Sequence, residues 1–296
     1  MSTETGRMRI ASGELDLDHT LTPGQSFRWK KDSLGRWTGV VRDRVVRVWR
    51  EGEDVRYQLF PGGPDDAFIC DYFRLDVKLC DLYDGFVRKD ERLARAIQRF
   101  RGLRVLRQSP EETLLSYICS AANSVQRIAA SVETISGDYG ERIATLDGCD
   151  YYAFPTAEAL ANADAACMAR SCSLGFRCVN LNSVARQIRD RSATWLESLR
   201  EASYEEARAE LLNIRGVGQK IADCVLLFSL DKDQAVPVDT HIRQVAVKYY
   251  MPEFKQKTLT PAVYKQIVEH FQERFGDYAG WAQEYLFYDD LLGENG

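Results

Sequence analysis

The stretch Leu211–His241 reads LLNIRGVGQKIADCVLLFSLDKDQAVPVDTH, and its punctuation decides the fold around it. It spells a helix, a tight Gly216-Val217-Gly218 turn, a second helix, a loop and the start of a third helix. The glycines permit a hairpin that brings backbone N–H groups to the surface. The second helix begins at about Gln219, so its free N–H groups and its dipole point to the same place. That makes an anion site suited to a DNA phosphate, although a Gly-x-Gly between helices also serves as a plain tight connection. Lys220 sits in the first turn, where a cation opposes the dipole at a cost of about 0.3–1 kcal/mol when exposed. Position alone favours an ordinary surface lysine touching a phosphate; a neutral amine there would be a nucleophile. Asp239 is a natural N-cap for the third helix. It lies nineteen positions beyond Lys220, and a helix of about 11 residues followed by a returning loop brings the two together. A carboxylate beside a nucleophilic amine could accept its proton and stabilise positive charge on a sugar ring.

The whole chain has 296 residues, which suggests two domains or one large one. Its 45% apolar and 28% charged residues are ordinary for a globular protein. No stretch of about 18 apolar residues occurs, which excludes a helical membrane span. The segment Met1–Ile10 lacks an apolar signal core, which argues against secretion. Thirty-nine basic and 44 acidic side chains leave a net charge of −5, and taken alone that argues against a polyphosphate partner. The distribution softens the argument. Arg92, Arg95, Arg99, Arg101, Arg104 and Arg107 form a run free of acids, while Asp65, Asp66, Glu205, Glu206, Asp289 and Asp290 lie elsewhere. A localised basic face on an acidic protein implies few phosphate contacts and a modest salt dependence. The eight cysteines show no C-x-x-C spacing, so a zinc site is not indicated. A disulfide scaffold does not suit so large a chain without a signal peptide. Most read as small buried hydrophobes, and none follows Cys224.

The first hundred residues read as strands. Trp37–Arg50 is rich in valine and tryptophan and breaks at Arg42-Asp43-Arg44, which predicts a hairpin. Val55–Phe60 alternates, and Pro61-Gly62-Gly63-Pro64 is a turn. An antiparallel sheet with one wet face fits. From about residue 90 the period becomes helical, with Leu93, Ile97, Phe100 and Leu103 on one face. Ser109-Pro110-Glu111-Glu112 and Ser203-Tyr204-Glu205-Glu206 both read as capping boxes. A β-rich N-terminal domain precedes a larger helical one.

Taken together, GVGQK, Cys224 four positions after the lysine, and PVDTH resemble the pattern of helix–hairpin–helix DNA glycosylases. Gly24-Gln25-Ser26-Phe27-Arg28-Trp29, Tyr72-Phe73-Arg74-Leu75-Asp76, Arg107-Gln108-Ser109-Pro110, Ala235-Val236-Pro237-Val238-Asp239 and Tyr278-Ala279-Gly280-Trp281-Ala282-Gln283 resemble 8-oxoguanine DNA glycosylases, in order, over about residues 14 to 290. The endonuclease-III-like branch usually carries a four-cysteine iron–sulfur cluster beyond the catalytic aspartate; this chain has no cysteine there. The resemblance implies an α+β fold, with an N-terminal antiparallel β-rich (TBP-like) domain over residues 1–108 and an all-α helix–hairpin–helix (HhH-GPD) catalytic domain over residues 109–296. It implies a bifunctional DNA glycosylase and AP lyase that excises 8-oxoguanine from duplex DNA in base excision repair.

Residue by residue, the resemblance implies Lys220 as the amine that attacks C1′ and Asp239 as the essential aspartate. Gly24 would offer a backbone carbonyl to the N7–H that 8-oxoguanine has and guanine lacks. Cys224, Phe228, Gln283 and Phe287 would line the pocket of the flipped base. Gly216, Gly218, Gln219 and His241 would hold phosphate, although His241 also reads as a structural helix-end histidine. Phe176 takes the wedge position, and Arg127, Arg170 and Arg177 match DNA-facing arginines. The position of an asparagine that reads the orphaned cytosine falls on Ala122, with Asn123 next to it. Alanine cannot hydrogen-bond cytosine, so weaker discrimination of the opposite base is expected. No redox or metal cofactor is required. Relatives bind a structural cation through hairpin carbonyls, here those of Leu212, Ile214 and Val217. A monomer in the cytoplasm and nucleoid, or in the nucleus of a eukaryote, is expected. Two rivals stand beside this reading: a helix–hairpin–helix glycosylase for another damaged base, and a non-catalytic DNA-binding module. Lys220 argues against a purely monofunctional enzyme, and the pocket residues argue against the module.

Overall fold

The computed structural model describes residues 4–22, 24–120, 123–171, 175 and 177–293. The chain opens with strand β1 (Gly6–Arg9) and helix α1 (Leu17–Leu21), followed by β2 (Lys30–Lys31), β3 (Trp37–Val41), β4 (Arg44–Glu51) and β5 (Asp54–Phe60). These five strands form one antiparallel sheet in the order β1-β5-β4-β3-β2. The hairpin expected at Arg42-Asp43-Arg44 joins β3 to β4, with Arg42 at φ 56.

Strand alternation sorts the side chains. Val46, Val48, Val55, Tyr57 and Leu59 face Ile69, Tyr72 and Phe73, where helix α2 (Asp66–Tyr72) closes the first core. The opposite face was expected to be wet and is partly covered instead. Val40, Val45 and Phe60 pack against Ala144 and Leu146 of a second hairpin, β6 (Arg142–Leu146) and β7 (Cys149–Tyr152). This hairpin lies in the half read as all-helical, and helical periodicity could not announce it. Its apolar residues are too few to register except against the sheet that they cover.

The remainder is helical: α3 (Leu79–Lys89), α4 (Glu91–Arg99), α5 (Pro110–Ile118), α6 (Val125–Tyr139), α7 (Ala157–Asn162), α8 (Ala165–Ser171), α9 (Arg177–Arg189), α10 (Trp195–Ser198), α11 (Tyr204–Leu212), α12 (Gln219–Ser229), α13 (Thr240–Val245), α14 (Pro261–Phe275) and α15 (Ala279–Gly293). Leu93, Ile97, Phe100 and Leu103 are buried as the spacing predicts, but within the helical core rather than under the sheet. Helix α12 is the axis of this core: every residue from Ala222 to Ser229 is buried. Among the described residues, no helix is long and apolar enough to cross a membrane.

The two capping boxes part ways. At Ser203 the box closes: the Glu206 N–H donates to Ser203 Oγ at 3.2 Å, and the Ser203 N–H donates to Glu206 Oε2 at 3.0 Å. At Ser109 no side-chain cap forms. Glu111, one position before the box acid Glu112, accepts the Ala157 N–H that opens α7, at 2.5 Å.

Candidate active site

Helix α11, the turn Asn213–Gly218 and helix α12 form the helix–hairpin–helix. Within the turn, the Val217 N–H donates to the Ile214 carbonyl at 3.0 Å. Gly216 has φ +104, and a Cβ there would lie 2.2 Å from Asn180 Oδ1, so the position demands glycine. Gly218 has an ordinary φ of −93 as the N-cap of α12, and a Cβ there would meet nothing. Its bareness leaves the approach to the helix N-terminus open. Helix α9 braces the turn. Gln187 donates to the Arg215 carbonyl at 3.0 Å and accepts the Arg215 N–H at 2.9 Å. Neither Gln187 nor Asn180 stands out in the sequence, because their role exists only once α9 crosses the turn.

Helix α12 presents Lys220, Cys224 and Phe228 at four-residue spacing to one cleft. Gly24, Tyr117, Pro237, Asp239, Gln283, Glu284 and Phe287 complete its lining, around an empty volume of about 340 Å³. The predicted catalytic pair and all five predicted pocket residues therefore meet in one place. The Lys220 amine lies 4.6 Å from the centre of the Tyr117 ring. Asp239 caps α13, its Oδ1 accepting the Ile242 N–H at 2.8 Å, and still borders the cleft. Capping α13 therefore does not remove Asp239 from the cleft.

The walls are apolar and the floor is polar. Phe228 stacks on Tyr117, with ring centres 5.9 Å apart and planes 13° from parallel. The Tyr117 hydroxyl donates to the Gly24 carbonyl at 3.1 Å. A Cβ at Gly24 would lie 3.2 Å from the Tyr288 hydroxyl and 3.6 Å from the Phe287 ring. Cys224 is 2% exposed, and burial pushes its thiol up to about 12, so it stays neutral and thin. Gln283 and Glu284 are each 3% exposed, and each has an Oε1 without a hydrogen-bond partner. Burial, with Asp239 adding to it, pushes the Glu284 carboxyl up to about 8. Tyr117, Pro237 and Glu284 were not singled out from the sequence. Glu284 carried a signal, as an acid that with Gln283 interrupts the apolar run of Trp281, Ala282, Tyr285, Leu286 and Phe287.

His241 rests its ring against Phe287, with centres 5.5 Å apart and planes perpendicular, while Asp290 holds its Nδ1 at 2.9 Å. Arg127 and Arg170 are exposed. Asn123 bonds locally: its amide donates to the Cys119 carbonyl at 3.3 Å and its Oδ1 accepts the Ser124 N–H at 3.1 Å. Ala122 and Phe176 lie outside the described residues, and Arg177 is half-buried. Among the described residues, no group of His, Cys, Asp or Glu is gathered to hold a metal ion.

The structure corrects four members of the arginine run; Arg95 and Arg101 are exposed. Arg92 and Arg99 both pair with Asp289 at 2.9 Å. Arg104 is fully buried and donates to the carbonyls of Phe73, Arg74, Val77 and Glu14. Arg107 pairs with Asp231, Asp71 and Asp76. Arg104 and Arg107 staple the sheet domain to the helical one, whereas Arg92 and Arg99 join α4 to α15 within the helical core. Arg74 adds a bidentate pair with Asp233 at 2.6 and 3.0 Å, and the Trp281 indole donates to the same carboxylate at 2.8 Å. The staples fix the loop that leads into Pro237-Val238-Asp239, which is how Asp239 reaches the cleft at a set angle.

A glycine hairpin opening onto a cleft with one amine and one capping carboxylate places the chain among the helix–hairpin–helix DNA glycosylases. Residues 7–114 match the family model described as the 8-oxoguanine DNA glycosylase N-terminal domain. An N-glycosylase/DNA lyase of Arabidopsis thaliana is 33% identical over 96% of this chain and 80% of its own. One from Saccharomyces cerevisiae is 33% identical over 100% of this chain and 89% of its own. The crystal structure of the Clostridium acetobutylicum 8-oxoguanine glycosylase/lyase, bound to dsDNA with cytosine opposite 8-oxoG, superposes with a TM-score of 0.86 at 30% identity, covering 99% of this chain and 97% of that one. The chain belongs to the N-glycosylase/DNA lyase family of 8-oxoguanine glycosylases.

Proposed function

We propose that this chain is a bifunctional DNA glycosylase and AP lyase that removes 8-oxoguanine from duplex DNA, with Lys220 as nucleophile. One observation carries the assignment of roles: Lys220 and Asp239 border the same cleft as an aromatic wall and a buried amide whose Oε1 is unpaired. The amine attacks C1′ of the flipped nucleotide, the base departs, and the resulting Schiff base permits β-elimination of the 3′ phosphate. Asp239 faces the sugar and stabilises the positive charge that develops on it. The base lies between Cys224 and Phe287, and Gln283 meets its Watson–Crick edge. The Gly24 carbonyl has two lone pairs, of which Tyr117 uses one. The other accepts N7–H of 8-oxoguanine and repels the N7 lone pair of guanine.

Gly216, Gly218 and Gln219 receive a phosphate at the α12 N-terminus, and His241, Arg127, Arg170 and Arg177 serve the flanking backbone. The mechanism routes no step through a metal or redox cofactor. The Leu212, Ile214 and Val217 carbonyls suit a structural cation; that of Ile214 already accepts one N–H and keeps one lone pair for it. The enzyme works as a monomer on chromosomal DNA, in the nucleoid or nucleus. With alanine at position 122, excision opposite C, A, G and T should differ little. A cytosine preference above about a hundredfold, or ~2.7 kcal/mol, would count against this.

Borohydride trapping tests the central assignment. Wild-type protein should form a covalent adduct with duplex DNA containing 8-oxoguanine, and Lys220→Ala should not. Undiminished trapping and excision in Lys220→Ala would refute it.

A further inference from the structure

Excision leaves a proton to account for. When the Lys220 nitrogen bonds to C1′, the C1′–N9 bond breaks and its electron pair leaves with the base. The base must then gain a proton, and the attacking nitrogen must lose one. The mechanism above names no group that carries it.

The cleft offers few candidates. Asp239 commits one oxygen to the Ile242 N–H and is needed as an anion. The Cys224 thiol and the Tyr117 hydroxyl are buried and held far above neutrality, so neither gives up its proton near pH 7. Glu284 differs from both. It borders the cleft on α15, beside Gln283 and one turn before Phe287 and Tyr288. It is 97% withdrawn from solvent, and its Oε1 has no partner. An unpaired buried carboxyl is costly to keep. The charges that face it come from two other elements, Lys220 on α12 and Asp239 at the cap of α13. Cys224, Tyr117 and, on its own helix, Tyr288 also feel it.

We infer that Glu284 is the proton carrier of the excision step: its carboxyl donates to the departing base and then, as carboxylate, takes a proton from the lysine nitrogen newly bonded to C1′. The sum is balanced. One C–N bond forms, one breaks, and a single proton passes from nucleophile to leaving group with no outside oxidant or reductant. The raised carboxyl, at about 8, suits the task, because it is protonated at neutral pH and close enough to neutrality to release its proton. The inference rests on Lys220 being the nucleophile.

The test measures single-turnover excision of 8-oxoguanine from duplex DNA between pH 5.5 and 9.5, for wild type and Glu284→Gln, with borohydride trapping on a pre-formed abasic site alongside. Wild-type excision should fall above about pH 8, where the donor is lost. Glu284→Gln keeps the shape but cannot release a proton to the base, so its rate at pH 7 should drop at least about tenfold and the alkaline limb should vanish. Trapping on the abasic site should persist, because no base then needs protonating and water fills the vacated cleft. A wild-type profile with no fall near pH 8, or a Glu284→Gln rate within about twofold of wild type across the range, would overturn the role. Retained trapping in Lys220→Ala would instead remove the nucleophile on which it depends, so the two failures are told apart.

Discussion

Gln283 and Glu284 are adjacent, equally buried, and each lacks a partner for Oε1, yet only the acid pays in proton linkage. Its carboxyl is raised from 4.5 in the unfolded chain to about 8 in the folded one. A group raised on folding adds its full stability below the unfolded value and loses it as pH climbs through the folded one. Glu284 therefore weighs against the fold between about pH 4.5 and 8, by roughly 3 kcal/mol at pH 7. Glu284→Gln should melt higher than wild type at pH 7 to 8, and the difference should close as pH falls to about 5 in paired thermal scans. A constant difference at every pH would contradict the linkage. Tyr117 makes a second residue-scale test. Its hydroxyl orients the Gly24 carbonyl, and Tyr117→Phe removes one buried hydrogen bond worth about 1–1.5 kcal/mol. Excision of 8-oxoguanine should slow about tenfold, while trapping on an abasic site, which has no base to orient, should stay at the wild-type level. Lys220, Cys224 and Asp239 were readable from the hairpin motif and its spacing, and Gln283 and Phe287 only through the family resemblance. Tyr117 and Glu284 were not, because their importance depends on which face of α5 and α15 turns toward α12, and tertiary packing decides that.

At the scale of elements, the hairpin separates two glycines that look alike in sequence. Gly216 is required by the fold, through its φ of +104 and the nearness of Asn180. Gly216→Ala should cost about 1–3 kcal/mol in denaturant unfolding. Gly218 has no such constraint, so Gly218→Ala should stay within about 0.5 kcal/mol of wild type in stability. Its affinity for duplex DNA should fall all the same, because the methyl group intrudes where a phosphate meets the α12 N-terminus. Equal stability loss in both variants would break the distinction. The two Ser-x-x-Glu segments teach the same lesson about elements. Ser203 and Glu206 close their box, whereas Ser109 makes no side-chain cap and burial raises the carboxyl of Glu112, the acid at the matching position. Strands β3, β4 and β5 were readable from alternation and turn residues; the short β1 and β2, and helices α2 and α3 inside the stretch read as strands, were not. The β6–β7 hairpin was not, because its apolar pair acquires meaning only against Val40, Val45 and Phe60.

For the whole molecule the decisive quantity is how much positive charge is free to meet DNA. The net charge of −5 is an imperfect guide, and so is the arginine run. Arg74, Arg92, Arg99, Arg104 and Arg107 are spent on Asp233, Asp289, Glu14, Asp231, Asp71 and Asp76. Arg74, Arg104 and Arg107 hold the two cores together and set the loop before Asp239, and the basic side chains left exposed include Arg95, Arg101, Arg127 and Arg170. Neutralising about three or four phosphates would give a slope of log affinity against log salt near −3. Binding measured on undamaged duplex from about 50 to 200 mM salt should therefore weaken by less than about a hundredfold. A slope steeper than about −6 would mean that the internally paired arginines open toward DNA. In that event Arg92→Gln and Arg99→Gln would flatten it; if the pairs hold, the same variants leave the slope unchanged and lower only the melting temperature.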